Sequence, residues 1–252
     1  MSFKTRLIKI WNDFENLFFK NHSCLVCRKE IPDGTKFSLC KNCYERLERL
    51  SGNLCRTCGD VILEDNIVCD RCKNNRYSFD ENKSFAVYEE CAAKLIKRFK
   101  YSGKKYYAKY LAELMTLNDE HFKNIDVITF VPIGNKRRKE RGFNQAEELA
   151  VEIGKIKKIP VVNMLEKIGT ERHQAGLSQK DRQKNLEGTF KIREGLLDLV
   201  KGKRVLLIDD VFTTGATLSE CSKVLKNNKN NKPSKICCYT FAKTKLNSTN
   251  NG

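Results

Sequence analysis

Eight cysteines arranged as four Cys-x-x-Cys pairs dominate the first third of this chain: Cys24/Cys27, Cys40/Cys43, Cys55/Cys58 and Cys69/Cys72. A secreted disulfide framework rarely repeats that spacing, because a two-residue loop closes little chain entropy. Two thiolates on one tight knuckle instead fill two corners of a tetrahedron, and a second knuckle supplies the other two. Twelve residues separate the first two pairs and ten the last two, and either length fits a short ribbon around one Zn²⁺. The segments CLVCRKEIPDG…LCKNC and CRTCGDVILED…VCDRC repeat one another, each running knuckle, apolar strand, acidic turn, knuckle. The reading is two consecutive Cys₄ sites, although the spacing also allows the first knuckle to share a metal with the third. A closed Cys₄ site has no open coordination position, so this zinc is structural. A redox dithiol would not need eight thiols.

The chain has 252 residues, enough for one sizeable core beside a small accessory module. Lys plus Arg is 48 against 31 for Asp plus Glu, a net charge of +17. Such an excess points to a phosphate-bearing partner, unless a Lys- and Asn-rich composition is simply the habit of the source. No stretch has the ~20 apolar residues of a membrane-spanning helix, and the charged start shows no secretory cleavage site, which implies a cytoplasmic protein. Residues 1–20 read as an amphipathic helix through Phe3, Leu7, Ile10, Trp11, Phe14, Leu17 and Phe18. That stripe packs on a neighbouring domain or meets a membrane surface or partner. Residues 21–76 form the double zinc-ribbon module, 73–83 a polar linker, 84–243 a second domain and 244–252 a disordered tail.

After the linker the pattern changes. Strands are expected at 84–88, 125–131, 161–165, 204–208 and 236–241, and helices at 92–99, 105–117, 143–156 and 217–226. Strands alternating with helices mean an α/β fold with a parallel sheet and right-handed crossovers.

The segment VLLIDDVFTTGATL (205–218) carries the chemistry. An apolar strand ends in two acids, a hydroxyl- and glycine-rich turn follows, and a helix begins. In an α/β sheet that is where ligands bind. Backbone amides and threonine hydroxyls from Thr213 to Thr217 converge on a helix N-terminus and attract a monophosphate. Asp209 and Asp210 would repel phosphate but accept hydrogen bonds from vicinal hydroxyls. A sugar 5-phosphate satisfies both demands. The lysine of a Walker P-loop is missing.

VLLIDDVFTTGAT resembles the phosphoribosyl pyrophosphate (PRPP) signature of type I phosphoribosyltransferases. With the paired knuckles in front, residues 20–243 resemble the ComF/GntX family of competence-associated, phosphoribosyltransferase-like proteins. The resemblance implies a type I phosphoribosyltransferase-like parallel sheet behind a small N-terminal zinc-ribbon module. It implies that Asp209 and Asp210 hold the ribose hydroxyls, that Thr213, Thr214, Gly215, Ala216 and Thr217 hold the 5-phosphate, and that Mg²⁺ accompanies PRPP. It also implies a role in DNA uptake during natural transformation, with a partner in the uptake machinery.

Two further stretches look like that family. VPIGNKRRKERGFNQAEELA (131–150) falls where such enzymes place the pyrophosphate loop; Gly134 stands where members often have a second Pro. Lys136, Arg137, Arg138, Lys139 and Arg141 oppose a single acid, Glu140. Arg137 and Arg138 are the candidates for stabilising the leaving diphosphate, joining Asp209 and Asp210 as catalytic residues, and Asn144 is a candidate helix cap. The plain alternative is a solvated charge run. Residues 171–190 look like the mobile loop that closes over the sugar, with Arg172, Arg182 and Asn185 as candidate contacts.

The acceptor has no obvious reader, since no spare segment follows the last strand; the zinc module is the expected hood. A second function is also open. Residues 94–110 hold seven cations, no acid and five aromatics (Phe99, Tyr101, Tyr106, Tyr107, Tyr110). That mixture suits single-stranded DNA through Lys97, Arg98, Lys100, Lys104 and Lys105, unless the tyrosines are simply the buried face of a helix.

Overall fold

The computed structural model describes residues 23–62, 67–168, 186–227 and 231–245. The expected helix over 1–20, the loop residues Arg172, Arg182 and Asn185, and the tail from 246 onward lie outside them. The chain divides into two compact units, Met1–Arg46 and Leu47–Gly252.

The smaller unit is a zinc-ribbon knuckle pair. Cys24 N donates to Lys29 O at 2.8 Å and Arg28 N to Cys24 O at 2.9 Å, closing a turn around the first Cys pair. Ser23 and Glu30 form an antiparallel bridge. Cys40 caps the short helix α1 (Lys41–Glu45), and Leu25, Val26, Ile31, Phe37 and Leu39 are its buried apolar residues.

The larger unit opens on the same motif. Cys55 N donates to Asp60 O at 2.7 Å and Gly59 N to Cys55 O at 2.8 Å, Leu54 bridges Val61, and Cys69 caps α2 (Asp70–Asn74). The internal repeat is therefore a repeat of structure. Its two copies fall in different compact units, however. Cys55 and Cys58 are buried in the same apolar cluster as Phe79, Leu207, Phe212 and Leu218. Asn82 fastens this knuckle, donating to Cys58 O at 3.0 Å.

The rest is a parallel α/β sheet. Strands β1 (Glu81–Val87), β2 (Val127–Phe130), β5 (Arg204–Phe212) and β6 (Lys235–Lys243) lie in the order β1-β6-β5-β2, with every neighbouring pair parallel. Four helices accompany them: α3 (Glu90–Tyr101), α4 (Tyr107–Met115), α6 (Gln145–Lys157) and α7 (Ala216–Lys226). Their buried faces are the apolar stripes legible in the chain, such as Ala146, Leu149, Ala150 and Ile153 on α6. No described helix is long and apolar enough to cross a membrane.

Three local expectations change. The strand at 161–165 is only one parallel bridge, Ile128 to Val161. Met164 N turns back to Val162 O at 3.0 Å, which takes the chain out of the sheet. Leu165 instead starts β3 (Leu165–Lys167), antiparallel to β4 (Phe190–Ile192). The cationic run is a helix, α5 (Asn135–Arg141), ended by Gly142 at φ 79°. It has no apolar residue and so no periodicity to read. Gly134 sits at φ −71° and ψ 158°, a conformation proline also adopts. The stretch 73–83 is no simple linker either, because Tyr77 and Phe79 stack at 4.7 Å between centroids and β1 begins at Glu81.

Candidate functional site

Strand β5 lies between β6 and β2 and carries the two acids near its carboxyl end. Alternation along the strand turns them apart. Asp210 is buried and its Oδ1 meets Lys100 Nζ at 2.9 Å. Asp209 Oδ1 accepts from the Asp210 amide at 2.8 Å. Burial, and then the neighbouring Asp210 carboxylate, push Asp209 up to about 7, against the pull of the Asp210 amide, Lys100 and Arg137.

The chain then turns through Thr213 and Thr214 to Gly215, at φ 77°, where α7 begins. Thr213 is exposed and Thr217 half-buried. Thr214 Oγ1 accepts from Ala216 N at 3.4 Å. Gly215 is required twice over. Its φ is left-handed, and a Cβ there would stand 2.7 Å from Phe212 Cζ and 2.9 Å from Tyr77 Cε1. Tyr77 donates its hydroxyl to Thr214 O at 3.1 Å, and Ser78 N donates to Ser219 Oγ at 3.0 Å. The turn is thus braced from below by residues that precede the sheet. Near this turn lie the amides of the first turn of α7, the threonine hydroxyls and the acid pair, Asp209 and Asp210.

The basic residues separate into groups. Arg137 is partly buried and its charge reaches Asp209. Arg138 is exposed and pairs with Glu147 at 3.1 Å. Asn144 caps α6 as expected, accepting from Ala146 N at 3.1 Å while donating to Val131 O at 3.0 Å. In the 94–110 stretch, Phe99 and Tyr107 are core residues, whereas Tyr101 is 72% exposed. The Arg141 guanidinium lies 5.6 Å from the Tyr101 ring. Lys97 and Lys104 are exposed and Arg98 is half-buried. Lys105 pairs with Glu148 at 2.8 Å, and Lys100 belongs to the acid pair. Lys100, expected at DNA, instead meets the acids, and Tyr77 at the turn was not legible as a site residue. Each reaches its partner only through the fold.

The metal-ligating cysteines sort into Cys24, Cys27, Cys40 and Cys43, and Cys55, Cys58, Cys69 and Cys72, with the four sulfur atoms of each group within 4.8 Å of one another. Consecutive pairs therefore share a site. Main-chain amides point at sulfur in both: Val26 N to Cys24 Sγ and Cys69 N to Cys55 Sγ, each 3.4 Å. Such donors favour thiolates. Cys58 is held down to about 4, first by the Cys72 thiol and, against burial, also by the Lys243 charge. All-thiolate tetrahedral donor sets fit structural Zn²⁺.

Residues 16–73 match the double zinc ribbon domain, and residues 70–251 match the PRTase-CE family. Competence protein F of Haemophilus influenzae is 31% identical over 215 residues, covering 82% of this chain and 92% of that protein. This chain belongs to the competence protein F (ComF) family. The DNA utilization protein YhgH of Escherichia coli, 26% identical over 81% of this chain and 91% of its own length, is another ComF-like relative. Among solved structures, adenine phosphoribosyltransferase matches at 14% identity over 58% of this chain and 74% of that one, with a TM-score of 0.36. The PRTase-CE match and the parallel sheet make the larger unit of this ComF protein phosphoribosyltransferase-like, behind a Cys-rich zinc-ribbon module.

Proposed function

We propose that this ComF protein binds PRPP, or a closely related sugar phosphate, and acts in the cytoplasmic handling of DNA during uptake. The observation that carries the reading is the pairing of Asp209 and Asp210 with the Gly215-hinged turn at the start of α7. The 213–217 turn takes the 5-phosphate and the acids take the ribose hydroxyls. The names of its relatives, a competence protein and a DNA utilization protein, supply the biological setting.

If transfer occurs, positive charge grows on the ribose ring as diphosphate departs. Asp209 and Asp210 stabilise the ring charge, while Arg137 and Arg138 compensate the diphosphate. A Mg²⁺ bound together with the substrate would add to this neutralisation of the diphosphate.

Calorimetry with PRPP and Mg²⁺ tests the site. Asp209→Asn combined with Asp210→Asn is expected to weaken binding at least ~100-fold, from hydrogen bonds worth about 1.5–3 kcal/mol each at charged acceptors. Zinc content and fold should stay intact, and unchanged affinity in that variant removes the proposal. A pH series adds a second check. Asp209 is neutral below its raised value of about 7 and becomes a full hydrogen-bond acceptor above it. Affinity for ribose 5-phosphate should therefore rise from pH 6 to 8. Asp209→Asn should lose that rise, leaving only the part due to the phosphate's own titration. For the free protein the sign reverses. A raised carboxyl binds its proton more tightly in the folded state, so stability from this group falls as pH rises from about 4 to 7.

Single-stranded DNA binding is favoured by one observation, the exposed Tyr101 ring beside Arg141. Tyr101→Ala should weaken oligothymidylate binding roughly tenfold without changing its salt slope, because stacking carries no counterion. Replacing exposed Lys97 and Lys104 should instead lower the slope by about 1–2. Salt-independent binding would exclude the backbone mode.

A further inference from the structure

Two cations whose charged ends are buried, Lys243 and Arg71, stand by the second four-Cys group. Lys243 ends β6 and is 1% exposed. Its ion pair with Asp60 is long, 3.5 Å, and Nζ makes no hydrogen bond among the described residues. Arg71 lies between Cys69 and Cys72 in α2. All three of its guanidinium nitrogens are buried, and the group they face is the Cys58 thiol. Burying an ammonium and a guanidinium with so little opposing charge is costly. Four thiolates around Zn²⁺ leave a net charge of roughly −2. Two cations offset it.

Both cations also touch one ring. Lys243 Nζ is 4.2 Å from the Phe212 centroid, and the Arg71 guanidinium is 6.0 Å from it. Phe212 and Lys243 are register partners across β5 and β6, and Thr244 N donates to Phe212 O at 3.0 Å. Phe212 in turn lies under the phosphate turn. Its Cζ limits the space at Gly215. Tyr77 packs edge-on against it, with centroids 6.3 Å apart, and holds Thr214 O.

We infer that Lys243 and Arg71 are the counter-charges of the second zinc tetrathiolate, and that through Phe212 they make this metal a positioning element for the 213–217 turn. The inference concerns the order of the turn and does not depend on which ligand the turn receives.

The test uses the full-length, zinc-loaded protein. Zinc release to a colorimetric chelator should show two phases, one per site. Lys243→Met and Arg71→Met should each speed one phase by ~10-fold or more, as expected for groups that support metal ligands, and leave the other unchanged. Lys243→Arg should restore the slow phase. If Lys243→Met fails to fold, Arg71→Met, outside the sheet, still reads the effect. Unaltered release in both variants overturns the counter-charge role. Hydrogen exchange then reads the positioning role. Once that zinc is removed, amides of 211–218 should exchange at least ~10-fold faster while those of β2 and α6 stay protected. An unchanged turn, or an equal rise across β2 and α6, overturns it, the second because the metal would then only hold the unit together.

Discussion

Cys58→Ser should cost the protein one zinc and much of the stability of its sheet, whereas Cys27→Ser should cost one zinc and little else. The two cysteines are equivalent in the internal repeat, and only their surroundings differ. Cys58 is fully buried in the cluster that contains Phe79, Leu207 and Phe212. Its carbonyl receives Asn82, the next knuckle residue, Gly59, lies so close to β1 that a Cβ would stand 2.7 Å from Asn82 O, and β1 pairs with β6. Cys27 is exposed and belongs to the smaller unit. Loss of a structural metal from a core is among the largest single-residue effects, here at least ~4 kcal/mol. For a unit of this size that is a fall of roughly 8–16 °C in Tm. Elemental analysis counts the metal, and scanning calorimetry follows the larger unit. Equal falls in the two variants would show that the division at residue 46 has no energetic meaning. A truncation should obey the same boundary: a chain starting at Leu47 keeps the sheet, and one starting at Tyr77 does not.

Gly215→Ala should abolish sugar-phosphate binding and destabilise the larger unit by about 2–5 kcal/mol. Left-handed backbone costs an ordinary residue about 1–2 kcal/mol. The added methyl then meets Phe212 and Tyr77 at less than van der Waals distance. Phe212 is 1% exposed and has Lys243 Nζ 4.2 Å from its ring centroid, so it has little room to retreat, and overpacking adds about 1–3 kcal/mol. Gly202→Ala is the control. Gly202 has φ 66° but open space around its missing Cβ. It should lose about 1–2 kcal/mol for backbone conformation alone and bind ligand normally. Calorimetric titration with ribose 5-phosphate separates the two variants, and retained binding in Gly215→Ala would show that the turn is not the phosphate site.

Much of what rests on neighbours in the chain was legible before the fold. The knuckles close through bonds that span only a few residues. β5 announces itself as an apolar run leading into two acids, although the strand continues through them to Phe212, and Asn144 caps the helix it precedes. Charge without periodicity was not legible, which is why α5 passed for a loop. Nor could spacing divide the aromatics of 94–110. Phe99 and Tyr107 point into the core, while Tyr101, at the last turn of α3, points away.

The cysteine spacing, the strand–turn–helix signature and the parallel order of the larger unit were written in local pattern, because knuckles, caps and amphipathic faces are short-range physics. Tertiary structure alone decided which residues serve the signature. Lys100 reaches Asp210, Tyr77 reaches Thr214 from 137 residues away, and Lys243 closes on Phe212 across a strand pair. It also decided that Cys55 and Cys58 of the second four-Cys group join the apolar cluster of the sheet, since burial there depends on which residues the finished sheet packs against.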